Sequence, residues 1–456
     1  MASRRACPYL FCMKLTLLFF ILQLIAATTF CQEKNTMSAE SARQDLTLLY
    51  KSLIDRHPGV YRHVTPAELK GRYDEVLATV NRTLSSWEFY RAASRLTAAV
   101  KCGHTRLGLP ENLRNDFTAN GKFFPLPILF ADTTMYARWP DQSVKQVISI
   151  NGKKIHVIMR TIFKNISEDG NSIKSKYDLA EVAFALLYAR HIELYPPTFR
   201  IEFTSTTKTL QTQSIAPVTW DKSQLSSFYE RKDFKPATFN MMGDTGYLYI
   251  ATFDSESFRL AGINFNDFLQ STFAELKKNK IQKLIVDIRR NGGGSDQYGA
   301  NMCSYLTGKP FSYFKTVKQK SGDGYSPVSH PCLSVQSPAS NAFTGKICLL
   351  IDGLTFSTAA DVASVTWANH FARVIGRETG GGYDGNTSGR SESVLLTNSG
   401  ITLTIPLWYY ENAVPPAREL HRGVLPDVLI NRTHESIVQH RDLEVETAMK
   451  WLSGGN

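Results

Sequence analysis

Two short apolar runs, each ending in a turn and continuing as a helical pattern, constrain this 456-residue chain more than any other feature. The first is Leu284-Ile-Val-Asp-Ile-Arg-Arg-Asn-Gly-Gly-Gly294 and the second is Cys348-Leu-Leu-Ile-Asp-Gly-Leu-Thr-Phe-Ser-Thr-Ala-Ala-Asp361. Buried strands that lead into helices are typical of an α/β core with a mostly parallel sheet. With 43% hydrophobic residues the chain can bury a large core, and its length predicts two or three domains.

The turns in these two segments are suited to acyl transfer. Three consecutive glycines allow backbone N–H groups to crowd around an anion. Ser357 stands where an Ala-rich helix begins, and the exposed N–H groups and dipole of a helix N-terminus favour negative charge. Ser357 is therefore the candidate nucleophile, and the alternative is a serine that only caps the helix. Candidate oxyanion donors are the backbone N–H of Gly293 or Gly294 and that of Thr358.

Together the two segments resemble the glycine-rich turn and the nucleophile turn (Thr355-Phe-Ser357) of the tail-specific, or carboxyl-terminal processing, serine protease family. The resemblance extends from about Met37 to the C-terminus. It implies a crotonase/ClpP-like α/β protease core over residues 236–456, a polypeptide substrate and no cofactor. It also favours Gly294 over Gly293 as the oxyanion donor.

The general base differs from that of many family members, which use a lysine that follows the serine. Position 382, where that lysine is expected, is a glycine, and no lysine follows Ser357 before Lys450. The run Cys102-Gly-His-Thr-Arg-Leu107 is similar to the Gly-His-Thr motif of the tricorn-core-like branch, in which histidine is the base. This resemblance assigns the base to His104, whose side chain titrates near neutrality. The alternative is a histidine that caps the preceding helix.

A third residue is expected to orient the imidazole, as in other serine–histidine systems. In the tricorn-like branch a glutamate precedes a Gly-Val-x-Pro-Asp turn, which Gly423-Val-Leu-Pro-Asp427 matches. The family position holds Leu420, and Glu419 lies one residue further back, so Glu419 is either the orienting group or a surface residue. The residue before the histidine also departs from the family, because it is Gly103 where the family has serine.

Two further regions are expected before the core. Residues 32–110 form an N-terminal helical region carrying His104, with helix starts signalled by the capping boxes at Thr65 and Ser85 and a left-handed helix end at Gly103. Residues 111–235 form a β-rich insert. Val147-Ile-Ser-Ile-Asn-Gly-Lys-Lys-Ile155 is interpreted as two strands joined by an Asn-Gly turn. It resembles a turn of PDZ-type domains, so a degenerate PDZ-like domain and a plain β-rich domain are both open.

Residues 1–31 have the pattern of a secretory signal peptide. Arg4, Arg5 and Lys14 precede an apolar run that is short for a bilayer span, and a cleavage site is expected before Gln32. The mature protein is therefore predicted to be secreted or periplasmic, with no stable membrane insertion. A lipid anchor at Cys31 is the less favoured alternative, because Phe30 is bulky where lipoprotein signals have a small residue.

Composition excludes some function classes and leaves others open. The net charge is +11, but there is no Lys/Arg-rich run or nucleic-acid motif, so no nucleic-acid partner is predicted. No His/Cys cluster has metal-ligand spacing, and no metal cofactor is expected. In an oxidising compartment Cys303 and Cys332 are the favoured disulfide pair. The oligomeric state is not indicated.

The sequence thus predicts a secreted serine endopeptidase with Ser357 as nucleophile and His104 as base. A non-proteolytic ligand-binding protein on the same scaffold is the main alternative, although such a protein needs neither a nucleophile nor a base. An esterase using the same oxyanion site is the other.

Overall fold

A computed structural model describes residues 36–204, 209–221, 234–417, 419 and 421–455. The predicted signal segment and the possible anchor Cys31 lie outside these residues. In the described part of the chain, no helix combines the length and apolarity that a membrane crossing requires.

Three helices open the described chain: α1 (Ala39–Arg56), α2 (Pro66–Thr79) and α3 (Ser86–Ala98). The capping boxes predicted at Thr65 and Ser85 are present, each side chain bonding reciprocally with a glutamate three residues later. The predicted end of α3 at Gly103 is wrong. The helix ends at Ala98 and the left-handed residue is Lys101 (φ 56°), whose N–H closes the last turn on the Ala98 carbonyl.

A β-rich unit follows. Its strands pair in the order β4-β5-β6-β8-β9, with β7 on β6. They are β4 (Ile128–Ala131), β5 (Thr134–Arg138), β6 (Val144–Ile150), β7 (Lys153–Lys154), β8 (Phe199–Thr204) and β9 (Leu210–Ile215). The associated helices are α4 (Glu111–Asn120), α5 (Ile155–Phe163) and α6 (Ile173–His191).

The predicted Asn-Gly turn joins β6 to β7, with Asn151 and Gly152 both at positive φ. The second strand is shorter than predicted, because Ile155 begins helix α5 and buries its side chain. The PDZ-like character of this unit stays a prediction.

The core contains a six-stranded sheet in the order β10-β11-β12-β15-β16-β19. All neighbours are parallel except the edge strand β10. The strands are β10 (Ala237–Met242), β11 (Thr245–Ile250), β12 (Lys283–Asp287), β15 (Lys346–Ile351), β16 (Arg373–Gly376) and β19 (Val428–Leu429). The mostly parallel α/β core predicted from the sequence is thereby confirmed.

Both faces of this sheet are covered, as the unbroken apolar runs require. Leu284, Val286 and Leu349 belong to one apolar cluster, while Ile285 and the residues beside it on the opposite face belong to another. The covering helices are α7 (Ser255–Leu260), α8 (Phe265–Lys278), α9 (Asp296–Ser304), α10 (Thr358–Ala368) and α12 (Leu443–Leu452). The short helix α11 (His434–Val438) packs instead on the β-rich unit, where Ile437 contacts Leu129 and Tyr136.

A second sheet of the core joins it to the N-terminal helices. It contains β3 (Arg106–Gly108), β13 (Phe314–Ser321), β14 (Gly324–Pro327), β17 (Thr387–Leu395) and β18 (Thr402–Asn412). Leu403 and Ile405 of β18 share an apolar cluster with Leu46 and Leu96 of the helices. Because β3 pairs with β18, the chain that follows His104 is fixed to the core.

The expected disulfide between Cys303 and Cys332 is not formed. Both thiols are free and buried in the apolar cluster around the main sheet, where an unoxidised cysteine packs as a small apolar side chain. Burial raises the pKa of each to about 12. Cys348 is likewise a free thiol, packed on the opposite face of the main sheet.

Candidate active site

Ser357 occupies the turn between β15 and α10 in a backbone conformation that is unusual for a residue with a side chain. Its φ is 54° and its ψ is −132°, and its hydroxyl caps no N–H of the helix. Instead the hydroxyl Oγ lies 3.1 Å from Nε2 of His104, a residue 253 positions earlier in the chain. The turn thus directs Oγ away from the helix and toward a potential base, and the capping interpretation of Ser357 is wrong.

The triple-glycine turn lies against the nucleophile. Gly293 (φ 97°) and Gly294 (φ 145°) adopt conformations that favour glycine. A Cβ on Gly293 would lie 2.7 Å from the Cβ of Ser357. The Thr358 hydroxyl donates to the Gly294 carbonyl over 2.9 Å and ties the two turns together.

The three candidate oxyanion donors differ in availability. The N–H of Gly293 already donates to Oδ1 of Asn291 at 2.9 Å. The N–H groups of Gly294 and Thr358 make no hydrogen bond within the described residues. Two backbone donors beside Ser357 are therefore unengaged, which is what an oxyanion site requires.

The loop that carries His104 is anchored on several sides. Nε2 of His57 lies 3.0 Å from the hydroxyl of Thr105, and Sγ of Cys102 lies 3.0 Å from the hydroxyl of Thr387. The imidazole of His104 stacks on the ring of Phe356, with centroids 4.7 Å apart and planes at 28°. These contacts hold the ring beside the nucleophile turn.

Gly103 has a role in this loop that differs from the predicted helix end. A Cβ at this position would come within 2.6 Å of Cζ of Phe356. Glycine is therefore required for the Phe356 ring to reach His104, and its N–H remains free to donate to a carboxylate of the neighbouring loop, Oδ1 of Asp169, at 2.8 Å.

The charge state of His104 suits a base. Burial, assisted by the positive charge of Arg106, lowers its pKa to about 3, so the ring is neutral at physiological pH. If Nε2 accepts the serine proton, Nδ1 must carry the proton of the neutral ring. This Nδ1 is buried and has no hydrogen-bond partner in the part of the chain that the structure describes.

Glu419 does not supply that partner. Its side chain is 56% exposed and forms an ion pair with Arg422 at 2.8 Å. Arg422 also binds the buried carboxylate of Glu378, so Glu419 belongs to a surface ion-pair network. The prediction that Glu419 orients the imidazole therefore finds no contact to support it.

Asp169 is the carboxylate that the structure does bring to His104. One of its oxygens, a ring nitrogen of His104 and Sγ of Cys102 all lie within 4.8 Å of one another. Sequence reasoning missed Asp169, because an acidic residue before a glycine between two helices is a common loop pattern. No local signal relates it to a histidine at the end of a different helix.

The same three atoms could in principle contact a cation. A Cys–metal bond needs the thiolate, whereas burial raises the pKa of Cys102 to about 11. The thiol also contacts Thr387. The chemistry of this set therefore favours a hydrogen-bonded histidine over a metal centre.

A cavity of about 400 Å³ is lined by Gly103, Thr105 and Phe356, the chain neighbours of His104 and Ser357, but not by His104 or Ser357 themselves. Gly103, Gly292 and Phe356 line the side next to Ser357, and Asn165, Glu168 and His191 line another side. The volume is in the range of small-molecule and side-chain binding pockets. The walls come from the N-terminal helices, the β-rich unit and the core together.

Comparison with known proteins supports the core assignment. Residues 244–430 match peptidase family S41, a segment that contains Ser357 and the glycine turn but neither His104 nor Asp169. No curated protein matches the sequence.

Solved structures extend the likeness in fold to almost the whole chain. Mature CPAF is 14% identical, with a TM-score of 0.68 over 91% of this chain and 96% of that one. Mature CPAF complexed with lactacystin is also 14% identical, with a TM-score of 0.66 over 91% and 97%. The photosystem II D1 C-terminal processing protease is 15% identical, with a TM-score of 0.43 over 87% and 96%.

Proposed function

We propose that this chain is a secreted serine endopeptidase with Ser357 as nucleophile and His104 as general base, and the match of residues 244–430 to peptidase family S41 supports the peptidase part of this proposal. The observation that carries the proposal is the 3.1 Å contact between Oγ of Ser357 and Nε2 of His104. This contact joins two residues that are far apart in the sequence and meet only because of the tertiary fold. A serine hydroxyl is inert at neutral pH unless a neighbouring base takes its proton.

The residues support a two-step acyl transfer. Nε2 of His104 removes the hydroxyl proton as Oγ attacks the carbonyl carbon of the scissile peptide bond. The N–H groups of Gly294 and Thr358 stabilise the oxyanion that develops on the carbonyl oxygen. The His104 imidazolium then gives its proton to the departing amine, which leaves an acyl ester on Ser357. Water, deprotonated by the same imidazole, hydrolyses that ester and restores the hydroxyl.

The proposed substrate is a polypeptide. A cavity of about 400 Å³, lined by Phe356 and by the residues that flank His104, is a candidate binding site for a substrate side chain. Secretion is proposed from residues 1–31 alone, on the pattern of basic, apolar and small residues described above. The domain limits 32–110, 111–235 and 236–456 are proposed on the same sequence grounds.

The two alternatives predict different behaviour of the same residues. A ligand-binding protein on this scaffold has no need of a strained serine in contact with a neutral histidine, so the observed pair disfavours it. An esterase would use the same residues but would hydrolyse an ester without cleaving an unfolded protein.

Activity-based labelling tests the proposal. We expect a fluorophosphonate to label the wild type and not Ser357→Ala, and casein hydrolysis to disappear in the same variant. His104→Ala should lower turnover by about 10²–10⁴-fold while the protein remains folded. Hydrolysis by purified Ser357→Ala at the wild-type rate would refute the assignment of Ser357 as the nucleophile. Ester hydrolysis without protein cleavage would favour the esterase.

A further inference from the structure

A buried carboxylate lies beside the proposed base without an evident structural reason to be there. Asp169 is 4% exposed and sits in the loop between α5 and α6. Two hydrogen bonds hold this loop against the His104 loop, one between backbone groups and one from a backbone N–H to the Asp169 carboxylate. The Gly170 N–H donates to the Lys101 carbonyl at 3.0 Å, and the Gly103 N–H donates to Oδ1 of Asp169 at 2.8 Å.

The next residues of the loop are fixed as well. Gly170 has a φ of 69°, and a Cβ there would come within 2.3 Å of the carbonyl oxygen of His421. That carbonyl accepts the N–H of Asn171 at 2.8 Å. The position of the Asp169 carboxylate is therefore determined by backbone contacts on both sides.

Asp169 and His104 each have one unsatisfied polar atom. Oδ2 of Asp169 and Nδ1 of His104 are both buried and have no hydrogen-bond partner within the described ranges. Nε2 of the same ring already faces Ser357. Buried polar atoms without partners are costly and uncommon in folded proteins. Two such atoms on neighbouring side chains would each gain a partner by forming a hydrogen bond with the other.

We propose that Asp169 is the positioning residue for His104, its carboxylate accepting the Nδ1 proton when substrate occupies the site. The inference rests on the proposed serine–histidine mechanism. At separations of up to 4.8 Å the two side chains are in reach of a direct bond after a small movement, or of one bridging water. Catalytic hydrogen bonds are often long before substrate binds and shorten in the complex.

The consequence for catalysis is electrostatic. Transfer of the Ser357 proton makes His104 cationic in a site where burial strongly disfavours that charge. A neighbouring anion offsets this cost and fixes the proton on Nδ1, which leaves Nε2 as the acceptor. Asp169 replaces the glutamate of the family turn, whose place here is taken by Leu420 and the surface residue Glu419.

The pKa of Asp169 is consistent with this role. Burial raises it to about 6, while the N–H groups of Gly103 and Gly382 and the charge of Arg62 pull it down. The Gly382 N–H acts on the Asp169 carboxylate without forming a hydrogen bond to Oδ2. The carboxylate is therefore mostly ionised at neutral pH and becomes neutral in mild acid. The charged or titratable groups around the pair are His57, Arg62, Cys102, Arg106, Glu168, Asp361 and Asp384.

The test is Asp169→Asn in the full chain. The amide oxygen of asparagine can still accept the Gly103 N–H, but the side chain has no negative charge. We expect kcat to fall by about 10²–10⁴-fold with KM changed only a few-fold. The acid limb of kcat/KM, near pH 6 in the wild type, should move to lower pH, because His104 alone titrates at about 3. Glu419→Gln is the matched control and should keep the wild-type kcat.

The melting temperature separates a positioning role from a purely structural one. Since burial raises the pKa of Asp169 to about 6, the ionised carboxylate lowers the stability of the folded protein, and this loss is complete above about pH 6. Replacement by neutral asparagine should therefore leave the melting temperature at pH 8 unchanged or higher. A folded Asp169→Asn enzyme with wild-type kcat and an unmoved acid limb would overturn the proposal. A wild type that is neither labelled nor active would instead overturn the proposed function itself.

A proton NMR measurement on the wild type serves if Asp169→Asn does not fold. Phosphonylation of Ser357 releases fluoride and gives a neutral diester, and subsequent loss of its alkyl group (ageing) leaves an anionic adduct that holds His104 protonated. An imidazolium Nδ1–H bonded to a carboxylate should then give a strongly low-field resonance. We expect this resonance after fluorophosphonate treatment of the wild type and not after the same treatment of Ser357→Ala. Its absence from the phosphonylated enzyme would contradict the proposal.

Discussion

The backbone of Ser357 predicts that the nucleophile is held at a cost in stability. Its φ of 54° with a ψ of −132° is in a region that residues with a Cβ rarely adopt, and such a conformation costs about 1–3 kcal/mol. Glycine adopts it without this cost but loses about 0.5–1 kcal/mol through greater freedom in the unfolded chain. Alanine retains the Cβ and therefore the strain.

We therefore expect Ser357→Gly to be more stable than Ser357→Ala by about 1–2 kcal/mol. Both variants remove the contact with His104, so its loss cancels in the comparison. Both should also be inactive. The measurement is the difference in apparent free energy of unfolding from urea titrations followed by tryptophan fluorescence.

Ser271 provides the matched control. It is exposed within helix α8, where glycine is less stable than alanine by about 1 kcal/mol. The order of the two variants should therefore reverse between the two positions. The strain argument fails if Ser357→Gly is no more stable than Ser357→Ala while Ser271 shows the ordinary order.

Two further predictions concern the base loop and export. Gly103→Ala should lower turnover at least about tenfold with a modest change in melting temperature. The reason is that the added Cβ would meet Phe356 at 2.6 Å and displace the ring on which His104 stacks. Steady-state kinetics and thermal denaturation measure the two effects, and unchanged turnover would contradict the prediction. If the protein is exported, its mature N-terminus should lie near Gln32, and the intact mass of the protein from its native host measures this. A retained leader would refute cleavage, and a lipid mass on Cys31 would favour the anchored alternative.

The parts of the site that were predictable from the sequence are those with local signals. Helix starts at Thr65 and Ser85 depend on capping residues three positions apart, and the structure has both. The glycine turn and the serine before an Ala-rich helix depend likewise on a few adjacent residues. The positive φ of Gly293 is one that glycine adopts readily, whereas the positive φ of Ser357 is imposed by the surrounding structure.

Errors arose where a local signal had two explanations. Gly103 was interpreted as a helix end, since glycine commonly ends helices, but the crowding that requires it comes from Phe356 in a different layer. Glu419 is a different case, because the sequence leaves an orienting role and a surface position both open, and in the structure it pairs with Arg422 at the surface. Cys303 and Cys332 were paired by elimination, and the core keeps both as buried thiols.

The sequence by itself therefore determined the two strand–turn–helix units, the parallel sheet they imply and the position of the candidate nucleophile turn, because periodicity, glycines and caps act over a few residues. Only the tertiary structure decided that His104 meets Ser357 across 253 residues and that Asp169 lies beside that histidine. These encounters depend on how β3 pairs with β18 and on backbone hydrogen bonds between distant loops. Interactions of that kind arise from packing between separate elements, and no short segment of the chain contains them.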